Sequence, residues 1–246
     1  MPLVREGRRL LCERGHSFDI ARSGYINLLQ PQDRRSKHPG DAATVVAARR
    51  RLHDRGVTAP LLRAIAEFAP TTRGDVVLDV GCGDGFYLAN HGRQTGFDAH
   101  GVDISIAAVD AASRRYPECE WVVANADRSI PYANARFSLL LSITGRMNSK
   151  EFRRVLRDDG RLLVGVSGPD DLIEMRRTRH DRVSRTVDEF AREFTLGRRH
   201  RVITVAHLDA GAMNDIMLSV YRPSRTQPAQ GSQVTFSLDL LLFRPV

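Results

Sequence analysis

Seven consecutive residues, Asp79-Val80-Gly81-Cys82-Gly83-Asp84-Gly85, stand between an apolar run, VVLDV at 76–80, and a helix-like stretch, GFYLANHGRQ. Glycines at such a place leave no Cβ between the backbone and a ligand, and a helix start offers unpaired N–H groups. The spacing D-x-G-x-G-x-G is not the nicotinamide fingerprint G-x-G-x-x-G, because Phe86 occupies the sixth position. Asp103 sits in GVDIS (101–105), at the end of the next apolar run. A carboxylate there can accept both hydroxyls of a ribose. Asn125-Ala126-Asp127 follows the third run. Polar groups at three successive strand ends are a more specific signal than a glycine loop alone; the competing reading is a tight turn with no ligand. Cys82, inside the loop, reads as a small filler rather than a nucleophile.

These groups need a scaffold that brings strand ends to one rim. Strands are expected at 76–80, 98–104, 120–126, 136–143 and 161–168, with helices over GFYLANHGRQ, AAVDAASRRY and KEFRRVLRDDG, the last closed by Gly160. Such alternation implies βαβ units and an α/β, doubly wound, mostly parallel sheet. Further on, RVSRTVDEFAREF reads as a helix, 200–208 as a strand, AGAMNDIMLSV as a helix and 233–243 as a final strand, with the Pro/Gly/Ser-rich loop YRPSRTQPAQGS before it. This ending suits an antiparallel pair at one sheet edge, for seven strands in all. Residues 41–69 read as a helix broken near Gly56 and resumed after Pro60, and residues 1–40 as basic and loop-like.

Composition narrows the function classes. The chain has 246 residues, 42% of them hydrophobic and 27% charged, an ordinary globular balance. No apolar run approaches the roughly 18 residues of a membrane span, and the N-terminal MPLVREGRRLLCERGH lacks a signal-type core. Three cysteines, Cys12, Cys82 and Cys119, fit a reducing compartment, so a cytoplasmic protein with no membrane partner is expected. Lys+Arg is 37 against Asp+Glu 29, a net charge of +8, and Lys37 and Lys150 are the only lysines. Arginine forks match phosphate oxygens and stack on bases, which suggests a nucleic-acid partner. The bias of a GC-rich genome accounts for the same excess equally well.

The loop resembles the first motif of class I S-adenosylmethionine-dependent methyltransferases. That resemblance implies S-adenosylmethionine as cofactor, held by Asp79, Gly81, Gly83, Gly85, Phe86, Tyr87, Asp103 and Ile104, with Asn125 and Asp127 beside the adenine. A finer resemblance follows from the run Cys12-Glu13-Arg14-Gly15-His16-Ser17-Phe18-Asp19-Ile20-Ala21-Arg22-Ser23-Gly24-Tyr25-Ile26-Asn27-Leu28-Leu29, then Pro39-Gly40-Asp41, Ala48-Arg49-Arg50, Gly56 and Pro60-Leu61. Their order and spacing are similar to the 23S rRNA guanine-N1 methyltransferases, well over about 1–175 and in pattern only beyond. The resemblance implies methyl transfer to N1 of a guanine in a large-subunit rRNA hairpin loop, with rRNA as partner. It divides the chain into a truncated zinc-ribbon-like module (1–40), a helical bridge (41–70) and a methyltransferase domain (71–246). Arg34, Arg35, Arg49 and Arg50 become candidate RNA contacts, and segments 34–55 and 176–201 candidate phosphate tracks; solvated helix faces are the alternative. A homodimer is left open.

The departures matter as much. The family's zinc site pairs an upstream C-x-x-C with a C-x3-H; here Cys12 and His16 stand alone. Two ligands do not close a tetrahedral zinc site, so no metal is expected unless an in-frame C-x-x-C lies upstream of Met1. Thr58 stands where the family has Tyr, Gly145-Arg146 where it has Ala-Pro, and Asp171 where it has His ahead of Leu172. Asp171 is a candidate proton acceptor, and Asp170 a candidate cap for a following helix. The catalytic residue is left unassigned. Two other readings stay open: a small-molecule methyltransferase on the same fold, and a catalytically impaired RNA-binding relative.

Overall fold

The computed structural model describes residues 3–30, 32, 39–93, 95–145, 147–176, 182–219 and 232–246. Arg34, Arg35, Lys37, His38, Arg146 and most of the 221–232 loop fall outside them. The first forty residues, expected as loop, contain a small antiparallel sheet: β1 (Leu3–Glu6), β2 (Arg9–Cys12) and β3 (Ser17–Asp19), in that order. Strands this short, with charges on both faces, give no alternation to read. A two-residue strand, β4 (Ile26–Asn27), then leaves this sheet for the main one.

α1 (Ala43–Asp54) and α2 (Ala59–Phe68) follow, separated at Gly56 as expected, with Pro60 in the first turn of α2, where its missing N–H costs nothing. Next come β5 (Val76–Val80), α3 (Phe86–Gly92), β6 (Asp98–Asp103), α4 (Ile106–Arg115), β7 (Glu120–Val123), β8 (Phe137–Ile143), α5 (Ser149–Val155), β9 (Leu156–Ser167), α6 (Val183–Phe190), β10 (Phe194–His207), α7 (Ala210–Ser219) and β11 (Gln233–Pro245). The sheet order is β10-β11-β9-β8-β5-β6-β7-β4. Strands β4 to β9 pair in parallel, and β11 enters antiparallel between β9 and the edge strand β10. The seven expected strands are present, and β4 adds an eighth.

Apolar residues on alternate strand positions feed two cores. Val77 and Leu139 face Ile65, Leu88 and Val109 of α2, α3 and α4, while Leu78 and Leu140 face Phe152 and Phe190 of α5 and α6. Such two-sided burial is what makes interior parallel strands read as continuous apolar runs.

Three local expectations are corrected. α5 ends at Val155 rather than at Gly160, and β9 begins at Leu156, where it meets Phe137 of β8. Leu156 pairs with Phe137 of β8 and the ladder resumes at Arg161 with Leu139, while Asp158, Asp159 and Gly160 are poor helix formers that do not extend α5. β10 likewise starts at Phe194, because β11 partners it along its whole length. Residues 169–175 form turns, with Met175 N donating to Leu172 O at 2.9 Å, so there is no helix for Asp170 to cap.

Candidate functional site

The loop after β5, the turns after β6 and β7, and the turn after β8 share the carboxyl rim of the parallel strands, where open α/β sheets bind ligands. Gly81, Gly83 and Gly85 all have positive φ, at 79°, 55° and 76°. Gly85 has a second constraint: a Cβ there would enter the indole of buried Trp121. Trp121 is itself fixed by its Nε1, which donates to Tyr116 O at 2.8 Å.

Asp103 ties the loop to the neighbouring strand. Gly83 N donates to Asp103 Oδ2 at 2.9 Å and Ser105 N to Oδ1 at 2.8 Å. Each oxygen keeps a further lone pair for a hydroxyl donor. Burial pushes the Asp103 carboxyl up, and those two N–H groups pull it back. Asp79 lies beneath the loop, 2% exposed, and its Oδ1 has no hydrogen-bond partner among the described residues. Burial, with Asp103 alongside, raises it to about 8. An orphaned buried carboxyl oxygen under a glycine cradle fits a cofactor with a cationic end, since such a group would satisfy it. A Cβ on Gly83 would come near only Arg49 Nη1, at 3.7 Å, so the cradle is open.

The turn after β7 is fastened across the rim. Asp127 N donates to Asn125 Oδ1 at 3.1 Å, and Asn148 Nδ2 donates to Ala126 O and Asp127 O, both at 3.1 Å. Ile104 is half-buried against the core beside Asp103. The Pro39-Gly40-Asp41 motif packs on the turn after β6: Ser105 Oγ donates to Asp41 O at 2.6 Å, and a Cβ on Gly40 would lie 2.7 Å from Ser105 Cβ.

Arg49 and Arg50 face the loop from α1. Arg49 Nη1 pairs with Asp41 Oδ2 at 2.8 Å. Arg50 is largely enclosed: its Nε lies 2.7 Å from Asp84 Oδ2, and its Nη1 donates to Tyr116 Oη at 3.1 Å. Asp84 is pushed up by burial and held back by Arg50 and Arg49.

Sequence reasoning missed His53, Trp121, Asn148 and Thr144. His53 stacks on Phe86 with ring centroids 4.0 Å apart, and its Nδ1 shares a 2.7 Å hydrogen bond with Thr58 Oγ1. Burial, then Arg50 and Arg49, hold its imidazole down at about 3, so it is neutral near pH 7. Thr144 has φ 53°, an outlier for a β-branched residue, and a Cβ on Gly145 would stand 2.7 Å from Val80 O. This turn is pressed onto the base of the glycine loop, where strain of this kind clusters. No sequence signal marks it, because threonine ordinarily avoids that backbone region.

Asp171, the candidate proton acceptor, is buried; its Oδ1 accepts from Ser237 N at 3.1 Å and its Oδ2 from Arg176 Nη1 at 3.0 Å. Burial is the main cause that raises its carboxyl. In the N-terminal sheet, Cys12 Sγ and His16 Nδ1 lie 3.3 Å apart. Among the described residues no cluster of three or more His, Cys, Asp or Glu could hold a metal ion. Among the same residues, no helix is long and apolar enough to cross a membrane.

The chain is similar to known proteins in both parts. A family model described as "Methyltransferase domain" matches residues 77–164, and a zinc-ribbon model described as "RlmA, N-terminal" matches residues 1–37. The 23S rRNA (guanine(748)-N(1))-methyltransferase of Streptomyces fradiae is 34% identical over 228 residues, 88% of this chain and 80% of that one. YxjB of Bacillus subtilis is 35% identical over 184 residues, but this chain spans only 62% of its length. Among solved structures, the TehB-like methyltransferase of Corynebacterium glutamicum matches with a TM-score of 0.51 at 19% identity, covering 81% of this chain and 98% of that one. The [4+2]-cyclase SpnF matches at 0.54 and 16%, covering 75% and 80%. At such identities the structures share a fold, and a fold leaves the reaction open. The loop, its acidic partners and the relative from Streptomyces fradiae agree, and the chain belongs to the 23S rRNA (guanine-N1)-methyltransferase family of S-adenosylmethionine-dependent enzymes.

Proposed function

We propose that this chain methylates N1 of a guanine in a hairpin loop of 23S rRNA in the cytoplasm. The observation that carries the cofactor half is the cradle itself: an open glycine loop tied to Asp103, with the unpartnered Asp79 oxygen beneath it. S-adenosylmethionine, when bound, supplies an electrophilic methyl group. In this reading the loop N–H groups and Asp79 hold its amino-acid end, and Asp103 accepts from its ribose. Asn125 and Asp127, braced by Asn148, border the adenine. The protein's remaining work is placement, because positioning can supply much of the barrier reduction. Hairpin loops present bases already unstacked, which lowers the cost of bringing one to the rim.

A narrow cavity lies beside the loop, lined by Thr58, Leu61, Tyr87, Thr144, Val202 and Phe236. At about 90 Å³ it is too small to enclose a purine, so it marks the mouth at which the target base would be presented. Arg50 serves the loop in this reading, through Asp84, rather than reaching phosphate. Arg34 and Arg35 remain candidate RNA contacts.

Two measurements test the proposal together. Methyl transfer from labelled cofactor to naked 23S rRNA should produce a reverse-transcription stop at one loop guanine, since N1 methylation blocks base pairing. Asp103→Ala should weaken cofactor affinity about ten-fold or more, from the loss of charge-assisted hydrogen bonds. Label that accumulates only in small molecules, or an unchanged dissociation constant, refutes the respective half.

A further inference from the structure

The narrow cavity is not closed at its outer end. Val57 and Thr204 line both it and a larger, open cavity of about 540 Å³, so the two adjoin. The wall of the larger cavity is polar on one side: Arg55, Gly56, His207 and Asp209, from the end of α1 and the end of β10. Arg55 Nη1 pairs with Asp209 Oδ2 at 2.7 Å, and both side chains are substantially exposed. An exposed pair of this kind contributes little on its own, so a phosphate can take the guanidinium from Asp209 at small cost. The same Asp209 accepts from Ala212 N at 2.7 Å through its other oxygen, which fixes its place at the start of α7. Gly56, with φ +78° and nothing within 4 Å of where a Cβ would be, leaves the floor clear.

We infer that this outer cavity is a subsite for the sugar-phosphate next to the target guanine, with Arg55 binding the adjoining phosphodiester. The inference rests on the proposed rRNA reading. A base brought to the inner cavity would leave its backbone beside Val57 and Thr204, the lining residues the two cavities share, within reach of Arg55. Asp209 is then the placeholder that orients Arg55 until RNA arrives.

The test uses an rRNA hairpin presenting the loop guanine, with native linkages or with uncharged methylphosphonate linkages flanking that guanine. KM, kcat and the cofactor dissociation constant are measured for the parent, Arg55→Gln and Asp209→Asn. Arg55→Gln is expected to raise KM for the native hairpin about ten-fold, the scale of one charge-assisted contact, with kcat and cofactor binding unchanged. On the methylphosphonate hairpin the parent should already show the higher KM, and Arg55→Gln should add nothing. Asp209→Asn keeps the acceptor for Ala212 N but frees Arg55, so its KM should equal or fall below the parent's. A merely structural ion pair predicts the opposite, equal damage from both variants, and that result overturns the subsite. So does a KM for Arg55→Gln within two-fold of the parent, or the same penalty on both hairpins. If the parent transfers no methyl to the native hairpin, the rRNA reading itself fails and takes the subsite with it. If the parent methylates and the variants do not differ, the subsite alone fails.

Discussion

Gly85 in the loop after β5 and Gly15 in the hairpin between β2 and β3 share almost the same backbone, at φ +76° and +77°. Their surroundings differ completely. A Cβ on Gly85 would enter the Trp121 indole, whereas one on Gly15 would meet nothing within 4 Å. The first glycine answers two demands, conformation and space, and the space is set by a side chain buried under the rim. The second answers only the turn, where Gly15 N donates to Cys12 O at 2.9 Å. A positive φ therefore marks a turn in both places, and the packing behind Gly85 is what sets it apart from Gly15.

The largest effect should come from Gly85→Ala. Overpacking against Trp121 together with the left-handed backbone should cost about 2–4 kcal/mol in denaturant unfolding and abolish cofactor binding. Adding Trp121→Leu should restore part of the stability, because the two changes share one contact. Additive losses would show that Trp121 is not what excludes the Cβ.

A smaller effect, read through pH, probes the carboxyl beneath the loop. Asp79 sits at about 8, above its ordinary value, so the folded protein keeps a proton that the unfolded chain has lost. Stability from this group is therefore full below the ordinary carboxylate range and declines as pH rises toward 8. Cofactor affinity should move the other way, because a cationic group above Asp79 favours the ionised form. Affinity should rise between about pH 6 and 8 with proton release on binding, and Asp79→Asn should flatten that part of the profile. A proton count unchanged by the substitution would remove Asp79 from the site.

The smallest effect belongs to Gly15→Ala, at about 1 kcal/mol of local strain and no change in cofactor affinity. If it damages binding as Gly85→Ala does, the contrast between the two regions collapses.

The parts of this site that could be read in the sequence are those whose chemistry is local. The glycine spacing, Asp103 at the next strand end and the alternating strands are properties of neighbouring residues, and they led directly to the sheet and its rim. The supporting residues come from far along the chain. His53 stacks on Phe86, Trp121 backs Gly85 and Asn148 braces residues 126–127, and no pattern in the intervening sequence announces these meetings. The same holds for Leu156, whose pairing with Phe137, 19 residues earlier, starts β9 where the local sequence continues a helix. The three-stranded N-terminal sheet escaped for a different reason: its strands are too short and too charged to show a period.

The seating of β4 has a consequence for how the molecule is made. Ile26 and Asn27 pair in parallel with Val122 and Val123 of β7, Leu28 N donates to Val123 O, and Ser113 Oγ donates to Ser23 O. During synthesis the N-terminal segment leaves the ribosome before any of those partners exists. Its docking must wait until the first three strands of the βαβ series have emerged, a non-local closure of the kind that slows folding. A nascent chain halted before β7 would therefore carry its N-terminal sheet undocked, and protease cleavage near residues 21–30 would report the moment at which that sheet is captured.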